Sequence, residues 1–545
     1  MNRLRVGVIS VAAVAVAALM LVVGPSWALG SVRSHTAAVA PTMCAPAAAA
    51  AGTGNEGSTT VAPSDMAGVP GTMAGMPAMA GSSPSHHSMQ ELRDRLARTP
   101  SGGTLTVPSG VYGGALVIDR PVTLVGVGNP ILAGDGTGTV LTIRAAGTTV
   151  RDLTIEGSGP GPVDNPAGVS VQADRVTVKH LHIRDTYTGI WVEGVSDAHI
   201  LGNVIEGRKQ VAASGESPRM TSDTAGMVMG AAMPGRGDGV SLYNAIRPVV
   251  SGNTISDVRD GIYMEYGSAE RLECNSVVRG RYAIHEMYAV DVTVTGNRFT
   301  ADESGPVMMY GGPVTLQGNV IRDEQSPDTG YGALFLDVSA VRLLRNVIVS
   351  DRVGVQIEGP QGDPQPTAVE LNTIALNQVG VGLFPDANAI LSQNSLVENT
   401  VQVLGLGPDG NGGTSAWSSH GVGNYWSDYR GYQRPGNAIG QTAEVEGAAA
   451  GNLLANDPDL MALASSPSFA LLRAVEERMA GQQPVSVDRF PIVDPRSPSL
   501  PSQPSATVHM ALGTGLLGAT SLAVCSLVLL GCTRRRRPHL GRPTL

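Results

Sequence analysis

Gly252-Asn253-Thr254-Ile255 is followed along the chain by Cys274-Asn275-Ser276-Val277, Gly296-Asn297-Arg298-Phe299 and Gly318-Asn319-Val320-Ile321. Each asparagine comes 22 residues after the one before it. A unit this short cannot bury an apolar face alone, so successive units must stack on one another. The middle of the chain is therefore predicted to be a solenoid.

The series extends in both directions with small changes of spacing. Its further members are Leu153, Leu181, Asn203, Asn346, Asn372 and Asn394. The step from Asn203 to Asn253 is 50 residues, which is either two coils or one coil with a long loop. A Gly-apolar phrase such as Gly261-Ile262-Tyr263 recurs in phase with the asparagines, so each coil is predicted to contain at least two short strands.

The predicted fold class is all-β, a right-handed parallel β-helix (a pectate-lyase-like solenoid) of about eleven coils. A leucine-rich repeat would need a Leu-x-x-Leu-x-Leu signature, which this sequence lacks. The short period, the 69 glycines and the absence of helical periodicity favour the β-helix. Trp417 and Trp426 follow the last coil, and we expect them to cover its open end, which would otherwise offer unpaired strand edges.

The ends of the chain carry targeting signals. An apolar run before Ala28 predicts a signal peptide, and the 22 apolar or small residues of 511–532, followed by four arginines, predict a transmembrane helix with the β-helix outside the cell. The predicted segments are a signal peptide at 1–28, a disordered Met/His-containing tether at 29–88, the β-helix with its end cap at 89–432, a C-terminal extension at 433–495, a linker at 496–510, the transmembrane helix at 511–532 and a cytoplasmic basic tail at 533–545.

The C-terminal extension contains a possible short helix at 469–479. Its apolar stripe of Phe469, Leu472, Val475 and Met479 is expected to pack on the solenoid, with a partner protein as the alternative.

Composition excludes some classes of function. The net charge of −9 gives no reason to expect nucleic-acid binding. Four cysteines do not make a disulfide framework, and Cys274, alone within the coils, is expected to be a buried thiol.

Soft metal ligands are concentrated in a segment that otherwise lacks functional side chains. The residues are Met66, Met73, Met76, Met79, His86, His87 and Met89. Thioethers suit Cu(I) and imidazole suits either copper state, so this segment is a candidate for copper capture. Compositional bias is the alternative. A second run, Met220, Met227, Met229 and Met233, lies in the long step before Gly239.

A further candidate lies on the coils themselves. The 22-residue offset predicts one column of Tyr266, Tyr288 and Tyr310, and a neighbouring column of Glu265, Met287 and Met309. His285 and Met287 then share a face and are candidate copper ligands. The alternative is that methionine fills the core and tyrosine lines the surface.

Carbohydrate chemistry on the coils would need clustered carboxylates on one face. The sequence has no Asp-Asp pair. Asp238 and Asp260 stack at the 22-residue offset with Glu265 nearby, but aspartate at a corner is a turn residue first. A membrane-anchored carbohydrate-binding or carbohydrate-modifying β-helix is therefore the alternative function, and no catalytic residue is assigned.

Several stretches resemble the NosD family, whose members are accessory proteins for the maturation of nitrous oxide reductase. They are Asp260-Gly261-Ile262-Tyr263-Met264-Glu265, Tyr282-Ala283-Ile284-His285-Glu286-Met287-Tyr288 and, most specifically, Gly423-Asn424-Tyr425-Trp426-Ser427-Asp428-Tyr429-Arg430-Gly431-Tyr432. The resemblance covers roughly residues 90–495.

The resemblance implies a non-enzymatic β-helix outside the membrane that works with an ABC-type ATPase and a membrane permease. It also implies that copper, received from a copper chaperone, is passed to the copper centre of nitrous oxide reductase or a similar extracellular copper enzyme. The expected location is the cell membrane, crossed once, with the β-helix on the periplasmic or cell-surface side.

Overall fold

The computed structural model describes residues 86–161, 165–208, 235–359, 365–407, 412–447, 453, 460, 463, 466–476 and 484–499. The predicted signal peptide, transmembrane helix and basic tail, nearly all of the tether and the second methionine run lie outside these residues. Within the described part of the chain, no helix has the length and apolar character needed to cross a bilayer.

Short parallel strands wind into a solenoid whose coils contribute to three long sheets, so the predicted parallel β-helix is confirmed. The described residues form twelve strands in each of two sheets and fourteen in the third. This gives twelve complete coils, with one extra strand at each end of the longest sheet. The expectation of about eleven coils was too low, and each complete coil contains three strands.

Sheet I opens each coil. Its strands are β2 (Thr104–Pro108), β5 (Thr123–Val127), β8 (Thr149–Arg151), β11 (Thr177–Lys179), β14 (His199–Leu201), β17 (Val249–Ser251), β20 (Arg271–Glu273), β23 (Val292–Thr295), β26 (Val314–Gln317), β29 (Val341–Leu344), β32 (Thr367–Glu370) and β35 (Ala389–Ser392).

Sheet II follows the asparagine corner. Its strands are β1 (His86–His87), β3 (Val111–Gly113), β6 (Ile131–Ala133), β9 (Thr154–Glu156), β12 (His182–Thr186), β15 (Val204–Gly207), β18 (Thr254–Ser256), β21 (Ser276–Val278), β24 (Arg298–Thr300), β27 (Val320–Arg322), β30 (Val347–Val349), β33 (Thr373–Ala375), β36 (Ser395–Val397) and β38 (Tyr425–Trp426).

Sheet III contains the longest strands of most coils. These are β4 (Leu116–Ile118), β7 (Leu141–Ile143), β10 (Ala167–Val171), β13 (Thr188–Glu193), β16 (Val240–Tyr243), β19 (Asp260–Glu265), β22 (Tyr282–Met287), β25 (Ser304–Met309), β28 (Tyr331–Leu336), β31 (Val353–Glu358), β34 (Val379–Leu383) and β37 (Val401–Gly405). Outside the three sheets lie helix α1 (Met89–Arg98), helix α2 (Pro467–Glu476) and an antiparallel pair of β39 (Glu444–Glu446) and β40 (Ser486–Asp488).

A continuous asparagine ladder joins sheets I and II. From Asn203 to Asn424, each side-chain amide donates to the amide oxygen of the next asparagine at 2.9–3.0 Å. Asn203 bonds directly to Asn253 at 2.9 Å, so the 50-residue step is one coil with a long loop. The ladder fixes the register because each buried side-chain amide must meet the asparagine one coil away to complete its hydrogen bonds.

A second polar ladder runs along the corner between sheets II and III and contains three carboxyl groups in succession, Asp302, Glu324 and Asp351, before it continues with Asn377 and Asn399. The backbone N–H of Glu324 donates to Asp351 at 2.9 Å, and that of Asp351 donates to Asn377 at 2.8 Å. All three carboxyl side chains are buried, and neither oxygen of Glu324 has a hydrogen-bond partner in the described structure.

Both ends of the solenoid are covered. Helix α1 buries Met89, Leu92 and Leu96 against the first coil. At the other end, the rings of Trp417 and Trp426 lie 5.4 Å apart and are buried, as expected for an end cap.

The last asparagine of the ladder is satisfied from the C-terminal extension. Asp488 accepts hydrogen bonds from the backbone N–H of Asn424 at 2.6 Å and from Trp426 Nε1 at 3.0 Å. This cap was not foreseen from the sequence.

The C-terminal extension also covers part of sheet III, so the prediction that its helix packs on the solenoid is confirmed. Phe469 of α2 is buried in an apolar cluster on the outer face, with Leu472 packed against the same cluster. The expected stripe is shorter than predicted, because Val475 is 45% exposed.

Cys274 differs from its prediction. It occupies a left-handed corner position with φ 57° and is disulfide-bonded, so it is not a free thiol. The other three cysteines of the chain lie outside the described residues.

Candidate functional site

The outer face of sheet III brings together the chemically active side chains of the middle coils. Strand register aligns Trp191, Ser241, Tyr263, His285 and Val307 in one outward column. A parallel column contains Glu193, Tyr243, Glu265, Met287 and Met309. The alternate residues of these strands, such as Ile262 and Met264, point into the core.

An alternating chain of charges runs along the corner where these strands begin. Arg259 holds Asp238 with two bonds of 2.9 Å, and Arg281 holds Asp260 with bonds of 2.8 and 2.5 Å. Arg259 Nε also lies 3.7 Å from Asp260. Both aspartates are almost fully buried, and each buried carboxylate is therefore matched by a planar, bidentate cation.

The two aspartates differ in acidity because their surroundings differ. Burial, together with the negative charge of Asp260, raises the pKa of Asp238 to about 6 despite the contact with Arg259. Burial also acts to raise the pKa of Asp260, but Arg281 and the hydrogen bond from His285 outweigh it and hold that pKa well below the usual range. Asp260 is thus a permanent anion, and Asp238 titrates near neutrality.

His285 is oriented by this chain. Its Nδ1 lies 3.0 Å from Asp260 Oδ2, and the imidazole is packed edge-on against Tyr263 and Tyr282 with centroids 5.2 and 5.1 Å away. Arg281 is further from Nδ1, at 3.4 Å, so the network assigns the Nδ1 proton to the bond with the carboxylate. Nε2 is then a lone-pair donor, and it is buried with no hydrogen-bond partner in the described structure.

Two thioethers follow His285 on the same face. Met287 is two residues further along the strand, and Met309 is its register partner in the next coil. Met309 is buried and Met287 half-buried in the cluster that Phe469 completes. The expected alignment of His285 with Met287, and of Met287 with Met309, is therefore present, and both methionines join the apolar cluster that also contains Phe469.

A cleft of about 450 Å³ opens beside this group, toward the N-terminal coils. Its lining includes Trp191, Glu193, Tyr243, Tyr263, Glu265, Asp238 and Arg259. The indole of Trp191 stacks on Tyr243 with centroids 6.4 Å apart, and Tyr263 donates to Glu265 at 2.7 Å.

The other predicted copper ligands lie elsewhere or outside the described residues. His86 and His87 form strand β1, where the ring of His87 stacks on Tyr112, and Met89 is buried in the core. Six strand steps along sheet III separate the first coil from His285, roughly 30 Å at 4.8 Å per strand. Met66, Met73, Met76 and Met79 are not among the described residues.

Among the described residues, no group of three or more His, Cys, Asp or Glu side chains is arranged to hold a metal ion. A copper site here would therefore depend on thioether ligands, which are the soft donors that Cu(I) prefers.

Arg259 and Arg281 were missed by reasoning from the sequence. They are 22 residues apart and in phase with Asp238 and Asp260, and this spacing was the available signal. The coverage by Phe469 had no comparable signal, because it depends on where the extension returns to the solenoid.

Comparison with known proteins finds similarity to one family. Residues 216–431 match the model of a family described as periplasmic copper-binding protein (NosD). A probable ABC transporter binding protein NosD of Pseudomonas aeruginosa is 26% identical over 405 residues, covering 70% of this chain and 85% of the relative. The protein of the same description in Stutzerimonas stutzeri is 26% identical over 399 residues, covering 68% of this chain and 82% of the relative.

One solved structure with a similar fold is the A-module of mannuronan C-5 epimerase AlgE6 from Azotobacter vinelandii. Its TM-score is 0.46 at 16% sequence identity, and the match covers 63% of this chain and 95% of that one. Another is a PL6 alginate lyase, with a TM-score of 0.45, 13% identity, and coverage of 63% of this chain and 85% of that one.

Both sequence relatives are named as binding proteins, which agrees with the prediction of a non-enzymatic role. The resemblance seen in the block around Trp426 and in the coils extends over most of the solenoid. The chain is thus similar to NosD proteins, through the family model over residues 216–431 and through two relatives over 70% and 68% of its length.

Proposed function

We propose that this protein is an extracytoplasmic accessory protein that binds Cu(I) and passes it to the copper centre of nitrous oxide reductase or a similar extracellular copper enzyme. The family description and the names of the relatives support copper handling beside an ABC transporter. An ABC-type ATPase and a permease would supply the motion, and a copper chaperone would supply the cargo.

One observation carries the copper part of the proposal. His285 presents a lone pair on Nε2 that no described group uses, while Asp260 fixes its ring through Nδ1. A second group that orients a ligating imidazole in this way is the usual arrangement of metal-binding histidines. Met287 and Met309 add two thioethers on the same face.

The surroundings suit a soft monovalent ion. Met287 and Met309 belong to an apolar cluster, and apolar surroundings disfavour hard, strongly hydrated cations and favour Cu(I) held by sulfur and nitrogen. Because Phe469 belongs to the same cluster, we propose that copper enters or leaves when α2 lifts from sheet III. The predicted methionine and histidine ligands from Met66 to Met89 would then serve as an outer capture segment.

An oxidising location fits this role. Cys274 is disulfide-bonded, and stable disulfides are typical of extracytoplasmic proteins. We propose that the predicted signal peptide and the predicted helix at 511–532 deliver and anchor the protein there.

The test is competition for Cu(I) against a chelator, using the wild type and Met287→Leu, Met309→Leu and His285→Gln variants. Leucine conserves volume but provides no ligand, so we expect each variant to bind Cu(I) at least about tenfold more weakly. Met308→Leu is the matched control, because Met308 is the neighbouring methionine and points into the core. Equal affinities for the Met308 and Met309 variants would refute the site.

A cellular experiment tests delivery. Cells carrying His285→Gln should accumulate nitrous oxide reductase that is deficient in copper, while the protein itself remains at normal abundance. If the reductase in those cells contains its full complement of copper, His285 is not required for copper transfer.

A second candidate function is carbohydrate binding in the cleft. The stacked rings of Trp191 and Tyr243 line the cleft together with Asp238 and Arg259, and aromatic walls with a few polar groups are typical of small-molecule sites. The test is chromatography on immobilised polysaccharides. Carbohydrate binding is supported if the wild type is retained and Trp191→Ala is not, and it is excluded if the wild type elutes unretarded from all of them.

A further inference from the structure

The corner that follows each sheet III strand has the same backbone conformation in seven successive coils. The residues at this position, all with φ between 49° and 71°, are Gly194, Asn244, Tyr266, Tyr288, Tyr310, Asp337 and Gly359. Glycine, asparagine and aspartate are the residues that tolerate this left-handed region. Three consecutive tyrosines are the departure.

The fold does not account for these tyrosines. A bulky side chain is strained at positive φ, so asparagine or glycine would stabilise the corner better. Burial gives no compensation, since Tyr266, Tyr288 and Tyr310 are 51%, 42% and 40% exposed. A strained and exposed residue that recurs in three coils indicates a surface role.

The three rings belong to a longer aromatic ridge. Tyr266 stacks on Tyr288 with centroids 5.2 Å apart, and Tyr288 on Tyr310 at 5.3 Å. The series continues through Tyr243, whose ring lies 6.1 Å from Tyr266, to Trp191. We define the aromatic ridge as Trp191, Tyr243, Tyr266, Tyr288 and Tyr310.

Apolar residues extend the ridge sideways. Ile246 and Val290 lie just beyond the tyrosine corner and are 40% and 46% exposed. An exposed apolar patch of this kind marks an interaction site more often than chance exposure does, and aromatic residues are enriched in protein interfaces.

The charges bordering the ridge are negative. Its acidic neighbours are Glu193, Glu265, Asp291 and Asp337, and within the described ranges none of them forms an ion pair with an arginine or lysine. Two nearby cations are already bound: Arg247 lies 2.9 Å from Asp197, and Arg259, in the cleft beside Trp191 and Tyr243, donates to Asp238 at 2.9 Å. An anionic lipid surface and a second copy of this acidic ridge would both be repelled.

We propose that the aromatic ridge is the docking surface for a protein partner that presents arginine or lysine side chains among apolar residues. The cationic groups would lie over the tyrosine faces and pair with the bordering carboxylates. This docking goes beyond the proposed copper site and does not require copper.

The test replaces the three tyrosines with asparagine, the residue that Asn244 already places at this corner. The probe is a labelled peptide that alternates arginine and leucine, with a glutamate–leucine peptide as its charge control. We expect the full-length wild type to bind only the basic peptide, and the triple variant to bind it at least about tenfold more weakly. Since asparagine relieves the corner, the melting temperature should be unchanged or higher.

Leu376→Asn is the matched control, because Leu376 is also 44% exposed and has φ 57° but lies at another corner. It should leave peptide binding unchanged. The proposal is overturned if the triple variant binds like the wild type, if the glutamate peptide binds equally well, or if Leu376→Asn weakens binding as much.

Two further measurements decide among partners. Photo-cross-linking from position 288 in intact cells should reach lysine- or arginine-bearing segments of one protein. If the cross-links reach only lipid, the ridge binds a membrane and the proposal is overturned. If light scattering shows a dimer that the triple variant loses, the ridge binds a second copy of the chain and the proposal is likewise overturned.

If the triple variant fails to fold, the tyrosines serve packing, and the single variant Tyr288→Asn then tests that conclusion.

Discussion

The buried carboxyl groups of the second ladder should make the protein less stable as pH rises through neutrality. Asp302 is the group to perturb, because burial raises its pKa to about 8. Burial also raises the pKa values of Glu324 and Asp351 well above the usual range. In the Asp302→Asn variant the oxygen that accepts from Gly280 at 2.6 Å is kept, and the ionisable group is lost.

The sign and size follow from proton binding. Between the ordinary carboxyl pKa near 4 and the folded-state pKa of about 8, the unfolded chain is ionised at Asp302 while the folded chain stays protonated. The folded state thus binds more protons, and the free energy of unfolding falls by about 1.4 kcal/mol per pH unit for this one group, about 5 kcal/mol over the whole interval. Above pH 8 the loss from Asp302 levels off.

The assay is urea unfolding at a series of pH values between 5 and 9. The unfolding midpoint of the wild type should fall steadily with pH, and that of Asp302→Asn should fall less steeply. Asp257→Asn is the control, because the hydrogen bond from Arg279 lowers the pKa of Asp257 and its stabilisation is lost only in acid. If the wild type and Asp302→Asn show the same slope between pH 6 and 8, Asp302 is not buried as a neutral acid.

Three further predictions concern the scaffold. Asn297→Ala removes the acceptor of the Asn275 backbone N–H, the hydrogen bond from the Asn275 side chain and the donor to the Leu272 carbonyl. The free energy of unfolding should therefore fall by about 2–4 kcal/mol in urea titrations, and a loss below about 0.5 kcal/mol would contradict the ladder. Phe469→Ala removes a buried ring from the outer face and should weaken the docking of α2 on sheet III by about 3 kcal/mol. The measurement is the rate of proteolysis within residues 466–476, which should rise; an unchanged rate would mean that α2 docks without Phe469. Asp488→Ala should shift the tryptophan emission to longer wavelength, since Trp426 loses its hydrogen bond and gains water, and an unshifted spectrum would speak against the cap.

The repeat made much of the fold predictable. Because side chains one period apart must stack, the spacing of the asparagines fixed their alignment, and the same rule placed His285 beside Tyr263 and Met287 beside Met309. The coil count was too low because the series was followed back only to Leu153, and the two coils before it have Gly110 and Pro130 at the ladder position.

The remaining features depend on contacts that a local pattern does not encode. The cap from Asp488 and the cover from Phe469 join segments far apart in the chain, with no periodicity between them. The 22-residue spacing predicts that Arg259 lies one coil from Asp238. The ion pair itself also depends on the directions of the two side chains at the corner, which the spacing does not give. That Cys274 is disulfide-bonded was also not readable from the repeat, which predicts only its place at a corner.

The bond between Asp488 and Trp426 has a consequence for synthesis of the chain. Trp426 precedes Asp488 by 62 residues, so the final coil lacks its cap until that much more polypeptide has been made. Until then the nascent molecule exposes unpaired strand edges that can pair with strands of neighbouring molecules. Truncations upstream of residue 488 should therefore precipitate even though every coil is present.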